Sequence, residues 1–478
     1  MNNSEITYST IRELRRGLHL GELTPIELTE ICLNRINQLD PALNAFVKLF
    51  PERAMREAEE AEKLQKTGKQ LGPLHGIPFA VKDLFDVEGE PTKAGTSSLD
   101  NNIALHDSTV VRKLKEAGMI LIGKTHTSPL ACEATGLNHD KGTPLNPWKK
   151  VPHMPGGSSS GSAVAVAAGM VPMALGTDTG GSVRIPSALC GLTGLKPTFG
   201  RVSRAGVYPL CWSYDSVGPL TRSVADAASV HDAMQGRDPL DETTLSVYQS
   251  GNIINIDSEI AGLRLAFAES VFFDDVDSEV ETAVRGSKDV FSSKGALVSS
   301  IEIPEMTEAN SMADRYLEMS VEACSVNNDL FEKHPNEIDV VMTWLLDGQE
   351  VTSQKYLELI RKRYELTQRV HERLQDVDAL LVPTTQITAH PLGKVDGDAE
   401  TYYQYMDKYS RNTSLGNYLK FCSISIYCGF SSEGLPIGLM IYAKSFDEEI
   451  ALRVANAFES STIWSSRHPD LAWAEKGT

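Results

Sequence analysis

No two cysteines of this chain are spaced as a CxxC pair. The seven present, Cys32, Cys132, Cys190, Cys211, Cys324, Cys422 and Cys428, are scattered and odd in number. That pattern excludes a disulfide framework and a cysteine zinc site, and it fits reduced thiols in a cytosolic protein. Positive charge is in deficit. Against 64 Asp and Glu stand 45 Lys and Arg, a formal net charge of −19. Such a surface argues against non-specific binding of nucleic acid and of anionic membranes. A long hydrophobic run is missing too. The charge-free stretch 156–177 has the length of a membrane span, but its first third is Gly and Ser and Pro172 interrupts the rest. No span is predicted. MNNSEITYS lacks the basic and apolar regions of a secretory leader, so a cytoplasmic location is expected. No Pro/Gly/Ser linker or block of like charge divides the 478 residues, of which 41% are hydrophobic. A single domain over 1–478 with a large core is expected.

What is present alternates between two periods. Thr24-Pro25-Ile26-Glu27 offers a helix N-cap, a proline at the first helical position and a capping-box glutamate. Ile31, Cys32 and Ile36 continue an apolar stripe toward Asp40-Pro41. Residues 51–66, rich in Ala, Glu, Arg and Lys, predict an exposed helix. Short apolar runs at 77–81, 119–122, 171–175, 263–266 and 379–382 predict buried strands. Helical patterns lie at 108–117, 163–168, 276–293 and 352–376. Strands alternating with helices predict an α/β fold, a mixed central sheet covered by helices on both faces. The stretch 305–375 is helix-rich and predicts an added layer over the sheet.

Two motif matches fail on context. GMILIGKT at 118–125 satisfies the letters of a P-loop, but its four intervening residues are all apolar and read as a strand, where an anion cradle should be. Lys124 is then structural or at a pocket rim. GSSSG at 157–161 satisfies GxSxG, but a two-proline loop precedes it where a nucleophile elbow needs a strand. None of His231, His334, His371, His390 and His468 has the context of a triad base.

The stretch 156–206 carries the stronger signal. Gly and Ser crowd both of its ends, and a segment so rich in them is costly to order unless backbone N–H groups and hydroxyls must approach a ligand. The run 171–175 leads into Gly176-Thr177-Asp178-Thr179-Gly180-Gly181-Ser182. Successive N–H groups of Thr179, Gly180, Gly181 and Ser182 suit an oxyanion. Ser182 would be a nucleophile, and a serine needs a base. Lys82, at the end of the apolar run 77–81, has two readings. Burial would lower its pKa and make it a base, or it pairs with Asp83 or another carboxylate.

These residues resemble the amidase signature family of serine hydrolases. The resemblance covers about 72–226: GPLHGIPFAVKDLFD at 72–86, GKT at 123–125, GGSSSGSAVAVAAG at 156–169, GTDTGGSVRIPSALCGLTGLKP at 176–197 and SVGPLTRSVAD at 216–226. Weaker likeness reaches LLVPTTQITAHPLG at 380–393 and GLPIGL at 434–439. The resemblance implies a triad of Lys82, Ser158 and Ser182, with Ser158 on a cis peptide bond and 24 residues before the nucleophile. It implies hydrolysis of a carbon–nitrogen amide bond in a small molecule, urea- and carbamate-type substrates included, with no metal and no organic cofactor. The partner expected is that amide substrate, and a homodimer is left open. The alternative function is the glutaminase subunit of a tRNA-dependent amidotransferase, which shares the triad. Residues 126–150 read HTSPLACEATGLNHDKGTPLNPWKK and lack the GSSTE-like run of that group. A non-catalytic binding protein is disfavoured by the presence of all three side chains.

Supporting roles are also expected. Asp178 and Arg184 would pair and brace the turn. Ser159 and Ser162 would cap the following helix and support the site through hydrogen bonds. Cys190 reads as core and His75 as a structural histidine. Ser160 stands where many family members have glycine, and the segment 420–428 replaces a proline-containing strand. The acyl pocket would be lined by 126–135 and by parts of 310–350 and 395–428. Tyr402, Tyr403, Tyr405, Met406 and Tyr409 would either cover an apolar acyl group or form an ordinary amphipathic helix face.

Overall fold

In the computed structural model, which describes residues 3–67, 71–245, 255–311, 314–335 and 337–475, eleven strands form one sheet. They are β1 (Phe46–Leu49), β2 (Pro78–Lys82), β3 (Ile120–Thr125), β4 (Met173–Asp178), β5 (Thr193–Lys196), β6 (Ser216–Thr221), β7 (Arg264–Ala268), β8 (Leu297–Ile301), β9 (Ala379–Pro383), β10 (Cys422–Phe430) and β11 (Pro436–Ala443). The order across the sheet is β1-β3-β2-β4-β6-β5-β10-β11-β9-β7-β8. β2 runs parallel to both β3 and β4, and β7 parallel to both β8 and β9. The remaining pairs are antiparallel. The expected mixed α/β sheet is therefore present.

Alternating residues send side chains to opposite faces, and both faces are covered. Leu265, Phe267, Ala379, Leu381, Leu439 and Ile441 pack with helices Val224–Met234, Ser278–Ser293 and Glu448–Glu459. Their neighbours Ala266, Ala268, Leu380, Val382, Met440 and Tyr442 pack with helices Asp314–Lys333, Ser353–Arg373 and Ala399–Tyr418. Helix Pro304–Ser311 and the 3₁₀ segment Val340–Glu350 add residues to this second face.

The first helices follow their capping signals. Thr10 with Glu13, and Thr24 with Glu27, make reciprocal capping boxes. The second of these two helices does not stop at Asp40-Pro41 but runs Pro25–Leu43, with Pro41 in its last turn. The Asp40 carboxylate accepts the N–H groups of Ala45 and Phe46 and holds the exit. Helix Pro51–Gln65 is not exposed all round, because Ala54, Ala58 and Ala61 bury one face.

Candidate active site

The crevice beyond the carboxyl ends of parallel strands is where open α/β sheets place ligands. Lys82 is the last residue of β2, and Thr177 and Asp178 end the parallel neighbour β4. The apolar run before Lys82 is buried on both faces, which draws the lysine into the interior. Its Nζ is fully buried, 2.7 Å from Ser158 Oγ and 2.8 Å from Thr177 Oγ1. Burial lowers its pKa to about 7, against the opposing pull of Asp178, Asp215 and Glu133. The ion-pair reading of Lys82 with Asp83 does not hold. Asp83 pairs with Lys124 at 2.8 Å, and Lys124 also donates to the Pro91 carbonyl. That pair accounts for the lysine of the false P-loop.

Ser158 follows a non-proline cis peptide bond from Gly157. A Cβ at Gly157 would lie 2.7 Å from the Gly136 nitrogen, so only glycine lets the two loops approach. The serine loop is tied to the glycine turn, since Ser159 N–H donates to the Ser182 carbonyl at 3.2 Å. Ser159 Oγ does not cap the next helix, Ser160–Ala167. It donates to the Thr177 carbonyl at 3.3 Å. Ser162 likewise bonds inward, to the Leu175 carbonyl and Thr125 Oγ1. These hydroxyls prefer strand-end partners because their helix starts buried against the sheet. Ser160 Oγ is buried without a partner among the described residues.

Asp178 organises the turn. Its carboxylate accepts from the N–H groups of Gly181 at 3.0 Å and Val183 at 3.1 Å. It also accepts from Arg184 Nε at 2.9 Å and Nη2 at 2.8 Å, and from Asn417 Nδ2 at 2.9 Å. Both charges are fully buried. Burial alone would raise the Asp178 pKa, but Arg184 and the other donors outweigh it and hold it at about 2. The expected brace is thus present. It also uses the Gly181 N–H, which removes that group from the set of four oxyanion donors. Among the described residues, the N–H groups of Thr179, Gly180 and Ser182 have no protein acceptor.

Sequence reasoning missed several partners. Thr177, which touches Lys82, sits inside the motif already singled out. Asp215 accepts from Thr179 Oγ1 at 2.5 Å and from the N–H groups of Leu210 and Cys211. Glu133 is fully enclosed by Ser128, Thr135 and Gly136. Asn417 and Thr413 reach the turn from the distant helix Ala399–Tyr418. No spacing rule announces contacts over more than 200 residues.

Ser182 opens onto a cavity of about 40 Å³, whose walls include Cys132, Ile185, Leu210, Met319, Trp344 and Met406. Of these, Cys132, Met319, Trp344 and Met406 come from the three stretches expected to line a pocket, whereas Ile185 and Leu210 do not. The aromatic-rich helix splits its roles. Tyr403 and Met406 line cavities, whereas Tyr402 and Tyr409 are buried in the core. Tyr405 packs against His390 and Tyr409. Cys190 is buried, and His75 is bonded to the Ala61 carbonyl. His231 is enclosed and its pKa is lowered by burial to about 4. Among the described residues, no cluster of three or more His, Cys, Asp or Glu could hold a metal, and no helix is long and apolar enough to cross a membrane.

The Amidase family profile matches residues 27–452. The chain belongs to the amidase family. It is a hydrolase acting on amide carbon–nitrogen bonds. An amidase of Pseudomonas putida is 36% identical over 98% of this chain and 100% of the relative. A glutamyl-tRNA(Gln) amidotransferase subunit of Chloroflexus aggregans is 34% identical over 98% of this chain and 100% of its own. Among solved structures, one from a vestigial protein complex bearing on the origins of an s-triazine catabolic enzyme superposes with a TM-score of 0.88. It is 31% identical over 95% of this chain and 99% of its own. The amidase fold expected from the motifs is the fold observed.

Proposed function

We propose that this amidase hydrolyses a small-molecule amide, with Ser182 as nucleophile, Ser158 as proton relay and Lys82 as base. The observation that carries the reading is the buried Lys82 amine, 2.7 Å from Ser158 Oγ, with its pKa lowered to about 7. A neutral amine has one lone pair to accept the Ser158 proton and N–H groups to donate to Thr177. Ser158 passes its proton to Lys82 and takes the proton of Ser182. Ser182 Oγ then bonds to the acyl carbon. The N–H groups of Thr179, Gly180 and Ser182 stabilise the oxyanion as the carbonyl π-bond opens. The proton returns through Ser158 to the leaving nitrogen, the C–N bond breaks, and ammonia or an amine departs. Water attacks the acyl-enzyme and gives its proton to the relay. The ester bond breaks and the acid leaves, with Ser182 protonated again. Residues 1–478 act as one catalytic unit on this reading, because the strands that lead into the site, β2 and β4, belong to one sheet with all the others. Seven buried free cysteines fit a cytoplasmic setting.

The test is a panel of alkyl and aryl amides, ureas and carbamates, assayed for release of the acid. Turnover of at least one class by the purified chain supports the reading, and none from any class contradicts it. The second reading, a glutaminase subunit of a tRNA-dependent amidotransferase, is favoured by the 34% identity to a protein of that kind. It predicts glutamine hydrolysis that requires tRNA and a partner protein, and little turnover of simple amides by the chain alone. A homodimer would instead leave turnover independent of any other chain.

A further inference from the structure

The cavity beside Ser182 is the inner of two compartments. Its volume is about 40 Å³, against about 10–15 Å³ needed to hold one water. The one carboxylate lining it, Glu133, has both oxygens taken. Ser128 and Gly136 donate to Oε1, and the Thr135 N–H and hydroxyl donate to Oε2. Its four acceptor positions are therefore taken by the protein, which leaves none for a donor on a ligand.

Tyr316, Trp344 and Met406 line both this compartment and an outer one of about 410 Å³. The Tyr316 and Trp344 rings meet edge to face with centroids 6.2 Å apart. Beyond them the outer compartment adds the Tyr403 ring, and every charged side chain lining it is acidic, Asp347 and Asp407. Neither carboxylate has an ion pair among the described residues. Lys408 and Arg411 line a separate recess that shares Tyr403 and Asp407, and Arg411 is engaged there by the Asp274 carbonyl. Aromatic faces together with carboxylates bind cations, and a quaternary or alkyl ammonium needs only this kind of wall.

We propose that the outer compartment receives a positively charged group, joined to the scissile amide by a chain that runs along the shared wall of Tyr316, Trp344 and Met406. The inference rests on the amidase reading and specifies its substrate class. Selection would come from Asp347 and Asp407, which line the outer compartment and not the one that holds Ser182.

The experiment uses two alkyl fluorophosphonates of equal chain length, one ending in trimethylammonium and the other in its neutral tert-butyl isostere. Each forms a bond from Ser182 Oγ to phosphorus as fluoride leaves and the serine proton passes to the base. Labelling rates at Ser182 are read by intact mass. The full-length chain should react about tenfold faster with the cationic reagent, a difference of about 1.4 kcal/mol. In the Asp347→Asn/Asp407→Asn double variant the two rates should converge, with the neutral rate unchanged. That unchanged rate shows that fold and nucleophile are intact. Equal rates in the wild type, or a preference that survives in the double variant, overturns the inference alone. Labelling of Ser182 by neither reagent removes the amidase reading, and this inference with it.

Discussion

The Lys82 amine lies 2.7 Å from Ser158 Oγ, and neither residue has measurable exposure. An amine in that position is charged only at a cost, because three opposing carboxylates do not offset its lost hydration. The pair is therefore set up to exchange a proton near neutrality.

The pH dependence of turnover follows from the sign of that shift. On the proposed mechanism the active form is the neutral amine, so kcat/KM should rise as pH rises through about 7 and then level off. Lys82→Ala should lose about 10³-fold or more in kcat, with partial recovery at higher pH as hydroxide substitutes for the base. A steady-state pH profile of both proteins checks this. A wild-type rate independent of pH between 5 and 9, roughly two units either side of the expected midpoint, contradicts it.

Thr177 is expected to set part of that midpoint. Its hydroxyl accepts from the ammonium at 2.8 Å and favours the charged form. Thr177→Val should move the kcat/KM midpoint downward by up to about one unit, worth about 1.4 kcal/mol. The fold should be retained, as the substitution keeps the side-chain shape. An upward shift would show that the hydroxyl acts otherwise.

The Asp178–Arg184 pair governs stability as well as the turn. Arg184→Met leaves a buried carboxylate uncompensated and should cost about 3–5 kcal/mol in urea unfolding. The folded pKa of Asp178, about 2, lies below its ordinary 3.8. Its contribution is thus complete above the unfolded value and is lost as pH falls through about 2. The variant should lack that portion of the acid transition.

Gly181 has a φ of +133°, and a Cβ there would collide with the Thr413 side chain that holds the Gly180 carbonyl. Gly181→Ala should lower stability by about 1–3 kcal/mol and reduce kcat more than it raises KM, because the oxyanion donors shift with the turn. Thermal melts and Michaelis curves separate the two effects.

Five of the eleven strands were legible in the sequence. Runs such as 119–122 and 379–382 are continuous and apolar because their strands are buried on both faces. β5, β6 and β10 gave no such signal. Gly194, Gly218, Pro219, Ser423 and Ser425 interrupt them, yet all three lie at the sheet's centre. Ser425 is accepted there because its hydroxyl bonds Thr384 Oγ1 at 2.7 Å. The serine and glycine loops of the site were readable since each sits in one local block. Asp215, Asn417 and Thr413 were not, because their roles arise only when distant segments meet.

The most direct test of the account compares wild type and Ser182→Ala on the best amide of the panel, with circular dichroism and thermal melts as the check on folding. The account predicts that turnover falls by about 10⁴-fold or more while the melt is retained. Undiminished amide cleavage by a folded Ser182→Ala protein would contradict it.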